Sequence, residues 1–290
     1  MSPSPLTGKT AVVTGANSGI GYALAAMLAA QGAHVVMACR DMERGRRALQ
    51  ALQKGQPGAK FSLLKLDLAD LDSVRRLAET CERDLPCIDL LVLNAGIMAP
   101  PQGWTRQGFE LQMGVNHLGH FALTGLLLPL LRNSGIARVT IVGSNAAMDC
   151  KLELDDLAGR SGGYDPVRAY CKSKRAQMLF ATELSRRVDP DAFTVTSADP
   201  GYTRTALQRH VPDLLRRIHA RYTQWRYAHP AQVGAERVMR AITDPHARNG
   251  LLFQGLDSAP VALEVAFPDT AEATQLWQQS EQVTGIHFKF

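Results

Sequence analysis

Residues 10–21 read Thr10-Ala11-Val12-Val13-Thr14-Gly15-Ala16-Asn17-Ser18-Gly19-Ile20-Gly21. The opening five are small, apolar or β-branched, the composition of a short strand covered on both faces. Glycines then allow a tight turn and let backbone N–H groups approach a phosphate at the positive end of a helix. The amphipathic stretch Ile20–Gln31 supplies that helix. A glycine turn alone is a weak signal; a strand before it and a helix after it make it the opening of a dinucleotide-binding βαβ unit. Gly15, Asn17, Ser18, Gly19, Ile20 and Gly21 are the candidate phosphate-side residues.

The same alternation continues to about position 200. Strands are expected at Thr10–Thr14, His34–Cys39, Phe61–Leu66, Ile88–Leu93, Arg138–Val142 and Phe193–Ala198. Helices are expected at Ile20–Gln31, Glu43–Gln53, Leu71–Arg83, roughly Phe109–Leu131, and Ala169–Arg187. This rhythm implies an α/β fold: a single Rossmann-type, doubly wound parallel sheet of about seven strands with helices on both faces. No repeat or low-complexity linker divides the chain, so residues 1–290 are expected to form one domain. Two stretches leave the rhythm at strand carboxyl ends, where ligands bind in open α/β sheets: the polar Asn145–Pro166 and the Arg- and aromatic-rich Thr203–His229.

The 290 residues suffice for a core without disulfides. Five scattered Cys, with no CxxC or CxxH pairing, imply free thiols in a reducing compartment and argue against a structural zinc; no metal is expected. The N-terminus lacks a signal-peptide layout, and no apolar run is expected to approach the ~20 residues that cross a bilayer. A cytoplasmic protein without a membrane span follows as the expectation. The net charge of +5 comes without blocks of Lys or Arg, which disfavours nucleic acid as a partner.

The spacing Thr14-Gly15-xxx-Gly19-x-Gly21 resembles the short-chain dehydrogenase/reductase family. Other elements follow in that family's order: Asn94-Ala95-Gly96 after the fourth strand, Asn116 in a helix, Ser144 after the fifth strand, Tyr170-xxx-Lys174 opening a helix, and Pro200-Gly201 with Thr203 and Thr205 after the sixth. Ala38-Cys39-Arg40-Asp41 and Leu276-Trp277 resemble the retinol-dehydrogenase and WW-domain-oxidoreductase branch. The resemblance implies a nicotinamide cofactor. Asp67 with Leu68, and Asn94 to Gly96, would border the adenine; Pro200, Gly201, Thr203 and Thr205 would anchor the carboxamide. Arg40 ends the second strand where NAD-binding proteins place a carboxylate on the ribose. A guanidinium there binds a 2′-phosphate and favours NADP(H) over NAD(H), although Asp41 lies one step further on.

Asn116, Ser144, Tyr170 and Lys174 are the catalytic candidates. Residues four apart share a helix face, so Lys174 can bear on Tyr170 and on a cofactor together. Free tyrosine, with a pKa of about 10, is a poor base. Bringing it near neutrality requires about 4 kcal/mol in favour of phenolate, which one cation at ~4 Å supplies at an effective dielectric of about 20. A depressed Tyr170 phenol is therefore expected. Ser144 would orient the substrate oxygen, and Asn116 would organise a proton relay. Asp199 departs from the family's small residue or His before Pro-Gly; it is either a turn residue or a neighbour of the carboxamide.

The expected activity is hydride transfer between NADP(H) and a small-molecule carbonyl/alcohol pair. In Thr203–His229, apolar residues at helical intervals fit a lid over a bulky apolar substrate or an amphipathic helix covering the core. The alternative class is a cofactor-binding sensor without turnover. The resemblance leaves a homodimer or homotetramer open.

Overall fold

The computed structural model describes residues 4–203 and 228–290. Strand β1 (Thr10–Thr14) is buried along its whole length and pairs in parallel with β2 (His34–Cys39) on one side and β4 (Leu90–Leu93) on the other. Beyond β2 lies β3 (Phe61–Lys65), and beyond β4 run β5 (Ala137–Val142), β6 (Phe193–Ala198) and β7 (Leu251–Phe253), all parallel. A short β8 (Val261–Ala262) closes that edge antiparallel to β7, giving the order β3-β2-β1-β4-β5-β6-β7-β8. Strand order therefore reverses between β1 and β4, the place where an open α/β sheet parts above its carboxyl ends and admits a ligand.

Among the described residues the helices are α1 (Gly19–Ala30), α2 (Met42–Gly55), α3 (Leu71–Asp84), α4 (Leu111–Ser134), α5 (Pro166–Arg187), α6 (Ala231–Thr243), the short α7 (Leu263–Ala266) and α8 (Thr270–Thr284). Asp41, Asp70, Asp165 and Asp269 cap α2, α3, α5 and α8 by accepting first-turn N–H groups. Alternation along β1 sorts the core into two layers. Ala11 and Val13 pack with Leu24, Leu28 and Val238 of α1 and α6; Val12 packs with the α3, α4 and α5 side. Helix α8 extends that second layer, laying Trp277 against Phe180 of α5 and Phe121 of α4.

The expected strands form, with β3 one residue shorter and β4 starting at Leu90 rather than Ile88. Among the described residues the expected strand count is met by seven parallel strands plus the two-residue β8. One expectation needs correction. Leu111–Ser134 is a 24-residue stretch apolar enough in composition to cross a bilayer. Its apolarity has a structural cause, since 83% of the qualifying window is buried inside the protein. Within α4 the ladder widens to a π turn over Gly114–Leu118. Nearly all of the Thr203–His229 segment lies outside the described residues, including Thr205. Its flanks meet in an isolated parallel bridge between Thr203 and His229.

Candidate active site

Above the carboxyl ends of the strands lies a cleft of about 1860 Å³, lined by residues from both halves of the sheet. Its floor at the first half is the glycine turn. Gly15 (φ 69°) and Gly19 (φ 57°) occupy the left-handed region, and a side chain on Gly21 would lie 2.5 Å from both the Gly15 carbonyl and the Asn94 amide. The turn is thus a bare-backbone cradle, the shape a pyrophosphate requires. Thr14 braces it from below: its hydroxyl accepts from the N–H groups of Asn94 and Ala95 (2.9 Å each), and its carbonyl accepts from the Asn94 side chain (2.8 Å). Ser18 caps α1 without a side-chain bond to its first turn, leaving N–H groups there for an anion.

Arg40 is exposed at the end of β2 and lines the cleft, joined by Arg44 and Arg47 from α2. Sequence reasoning missed these two, although they lie four and seven residues past Arg40, on successive helical turns. Asp41 is engaged elsewhere. One carboxylate oxygen accepts the Glu43 and Arg44 N–H groups at 3.0 Å, and these contacts with the neighbouring guanidinium hold its pKa below the ordinary value. Asp67 and Leu68 also line the cleft, Asp67 turning its carboxylate onto the Ala69 N–H at 3.0 Å. Asn94, Ala95 and Gly96 line it at the end of β4.

The second half brings the catalytic candidates together. Asp165 starts α5 by accepting from Val167 and Arg168 (2.8 and 3.0 Å), with Pro166 in the first turn. That sets Tyr170 and Lys174 one turn apart at the cleft wall, 6% and 4% exposed. The Lys174 ammonium stands 5.9 Å from the Tyr170 ring centre. It donates to the Val142 carbonyl (3.2 Å) and to Gln177 Oε1 (2.7 Å). Ser144 follows β5, caps the short 3₁₀ turn Asn145–Met148, and hydrogen-bonds the Tyr170 phenol. Gln177 is a further residue the sequence reading passed over; its position three residues past Lys174 is the signal that would have found it.

Asn116 sits in the π turn, fully buried, but its side chain does not reach Lys174. It accepts from the Ile97 N–H (2.9 Å) and donates to the Ile97 carbonyl (3.0 Å) and to Ser173 Oγ (2.8 Å). Its own carbonyl takes the Nδ1–H of His120, whose Nε2 meets Thr14 Oγ1 at 3.0 Å. Burial pushes His120 down to about 4, so it stays neutral. Asn116 therefore ties the loop after β4 to α5. Pro200, Gly201 (φ 70°) and Thr203 line the cleft after β6, with Thr203 Oγ1 donating to the Pro200 and Gly201 carbonyls at 3.2 Å.

The depressed phenol expected for Tyr170 is not what the protein's own groups produce. Burial pushes it up to about 12, the Ser144 bond opposes this in part, and the Asp199 charge adds to the rise. Burial also pushes Lys174 down to about 8, with Asp199 working in the opposite sense. Desolvation of both groups outweighs the attraction counted on from the sequence, because neither faces water and the ammonium lies beyond hydrogen-bond reach of the ring.

The short chain dehydrogenase family profile matches residues 9–214. The chain belongs to that family: it is an oxidoreductase on a fold that binds a nicotinamide cofactor. Within the family it is retinol-dehydrogenase-like. Human retinol dehydrogenase 13 is 36% identical over 98% of this chain and 87% of its own length. Among solved structures, an uncharacterized protein from Mycobacterium paratuberculosis superposes with a TM-score of 0.78 at 36% identity, covering 98% of this chain and 96% of that one. The RhlG/NADP active-site complex of Pseudomonas aeruginosa gives 0.68 at 27% identity over 88% and 97%.

Proposed function

We infer that this chain is an NADP(H)-dependent carbonyl reductase, also able to run as the reverse alcohol dehydrogenase, for a bulky and largely apolar substrate. The observation that carries the reading is one cleft lined jointly by the glycine cradle, Arg40, Ser144, Tyr170 and Lys174. Arg40, Arg44 and Arg47 around one end favour a cofactor with an extra phosphate, and Asp41, tied to α2, does not compete for the ribose. The neighbouring RhlG complex holds NADP, which points the same way. Substrate chemistry rests on the apolar side chains that line the same cleft, among them Ile97, Met98, Ala99, Pro100, Val167 and Tyr202. Retinoid-, terpenoid-, polyketide- and steroid-like carbonyls fit it, and the names of the relatives make retinal the first compound to try.

The glycine cradle would hold the pyrophosphate, Arg40 the 2′-phosphate, and Pro200, Gly201, Thr203 and Thr205 the carboxamide end. When bound, the nicotinamide supplies or takes the hydride. Ser144 donates a hydrogen bond to the substrate oxygen, and Tyr170 donates a proton to it. Lys174, with the Asn116 turn behind it, restores that proton. A phenol held at about 12 keeps its proton throughout the neutral range. Reduction needs that proton present and oxidation needs it absent, so oxidation climbs with pH while reduction does not.

The test follows NADPH consumption over a panel of carbonyls including retinal, with Tyr170→Phe as control. Turnover by the wild type and a loss of about 10²- to 10⁴-fold in Tyr170→Phe, with NADPH still bound, is expected. Binding of NADPH without turnover of any compound would replace this reading by that of a cofactor sensor.

A further inference from the structure

A left-handed backbone stands in the cleft wall. Among the described residues, Ala99 is the one residue other than glycine with a positive φ, 48°. That region crowds the Cβ of an L-residue against its own backbone. Pro100 follows, and a residue before proline prefers extended backbone. Both local preferences oppose the conformation observed, so contacts from elsewhere in the chain must impose it.

Those contacts come from the start of α4 and from the segment leading into α5. Gln112, fully buried, accepts the Ala99 N–H on Oε1 at 2.9 Å. Its Nε2 group donates to the Tyr164 hydroxyl (3.1 Å) and to the Pro166 carbonyl (2.9 Å). Tyr164 in turn donates to the Pro100 carbonyl at 2.8 Å. The amide is thus used at both ends, and the reverse orientation would set its NH₂ against the Ala99 N–H. Glu110 fixes the backbone beneath it, accepting the Gln112 and Met113 N–H groups at 2.9 and 2.8 Å. One turn further along, Asn116 holds Ile97 by N–H and carbonyl alike. Gln112 is not among the residues that line the cleft, whereas Met98, Ala99, Pro100, Tyr164, Pro166 and Val167 are.

We propose that Gln112 is the positioning residue of the substrate wall. By holding Ala99 left-handed and Tyr164 against Pro100, it gives the cleft a fixed apolar face that favours bulky carbonyl substrates over small ones. The selectivity rests on the carbonyl-reductase reading; the holding of the wall does not. A preformed face spares a large apolar substrate the cost of ordering these segments on binding. A small carbonyl that reaches only Ser144 and Tyr170 gains little from it.

The experiment compares the full-length wild type with Gln112→Met, which keeps an unbranched side chain of similar length but cannot bridge the two segments. Amide deuterium exchange over residues 97–102 is read by mass spectrometry, and kcat/KM is measured with NADPH for retinal and for propanal. In the variant, exchange over 97–102 speeds up, because the Ala99 N–H has lost its acceptor. The retinal-to-propanal ratio of kcat/KM falls roughly ten- to a hundredfold as the wall loses its shape, while NADPH affinity keeps its wild-type value. A general loss of stability would lower both substrates alike and leave that ratio in place. Should Gln112→Met fail to fold, Tyr164→Phe, which deletes one hydroxyl from the same bridge, decides by the same readouts. Wild-type exchange over 97–102 in the folded variant overturns the proposal; faster exchange with an unchanged ratio overturns its claim on selectivity. A wild type that turns over neither carbonyl removes the reductase reading, and faster exchange in the variant then still upholds the holding of the wall.

Discussion

At the scale of single residues, cofactor choice turns on which charges reach the end of β2. Asp41 is one residue from Arg40 yet plays a separate part, because its carboxylate is committed to the first turn of α2. Arg40 remains free to meet a phosphate. Charge-assisted hydrogen bonds of this type contribute about 1.5–3 kcal/mol, so Arg40→Glu is expected to weaken NADPH binding by roughly ten- to a hundredfold. NADH binding should change little; fluorescence titration with both cofactors checks this. An equal loss for both would mean the side chain supports the fold instead of reading the phosphate. The Tyr170 phenol gives the companion lesson. Spacing placed it beside Lys174 correctly, but its proton affinity depends on how far both groups are desolvated, and that is set by β5, β6 and α5 packing together.

At the scale of elements, the strand–turn–helix at residues 10–30 has the least room for change. Gly21→Ala would drive a methyl group into the Gly15 carbonyl and the Asn94 amide. Backbone has to move to relieve it, at about 1–3 kcal/mol in stability, together with loss of cofactor binding as the cradle closes. Thermal unfolding with and without NADPH would read both effects. This unit, and the strands generally, were legible because buried parallel strands write themselves as short β-branched runs such as Thr10–Thr14 and His34–Cys39. Other elements left weaker traces. Strand β7 is three residues long and β8 two, too short for any periodicity, and both form because the edge beyond β6 offers unpaired backbone. The π turn in α4 was equally hidden: its wider ladder reflects the pull of Asn116 towards Ile97 and Ser173, contacts distant in sequence. Tyr170, Lys174 and Gln177 share one helix and could be read from their spacing, whereas Asp199, which accepts the Gly201 N–H, gains meaning only once the turn after β6 is formed.

At the scale of the whole molecule, the carboxyl-terminal region locks the catalytic helix in place. Trp277 of α8, 2% exposed, has ring centres 5.8 Å from Phe180, 5.1 Å from Phe121 and 4.5 Å from Phe288, with the Arg187 guanidinium 4.7 Å away. Arg175 and Glu272 clasp α5 to α8 beside it. Trp277→Ala is expected to destabilise the protein by about 3–5 kcal/mol, seen as a lower midpoint in urea. NADPH binding should persist wherever the variant is folded, since Phe121, Phe180, Phe288 and Arg187, the partners of Trp277, are not among the residues that line the cleft. A variant as stable as the wild type would show that α8 is an appendage to the fold.

The widened turn at Gly114–Leu118 sets a rule for how this chain can vary in length. A π turn holds one residue more than an α ladder needs, so removing one residue there lets the ladder close while the side chains downstream keep their phase. Gly119, seated where a methyl group would come within 2.6 Å of the Leu68 carbonyl, would stay at that contact. Farther along the helix no such slack exists: each residue advances the side chains by about 100°, and a deletion at His120 would swing Phe121, Leu123 and Leu127 off the sheet together. A single-codon deletion is therefore tolerable to the core inside the widened turn and dislocates it beyond.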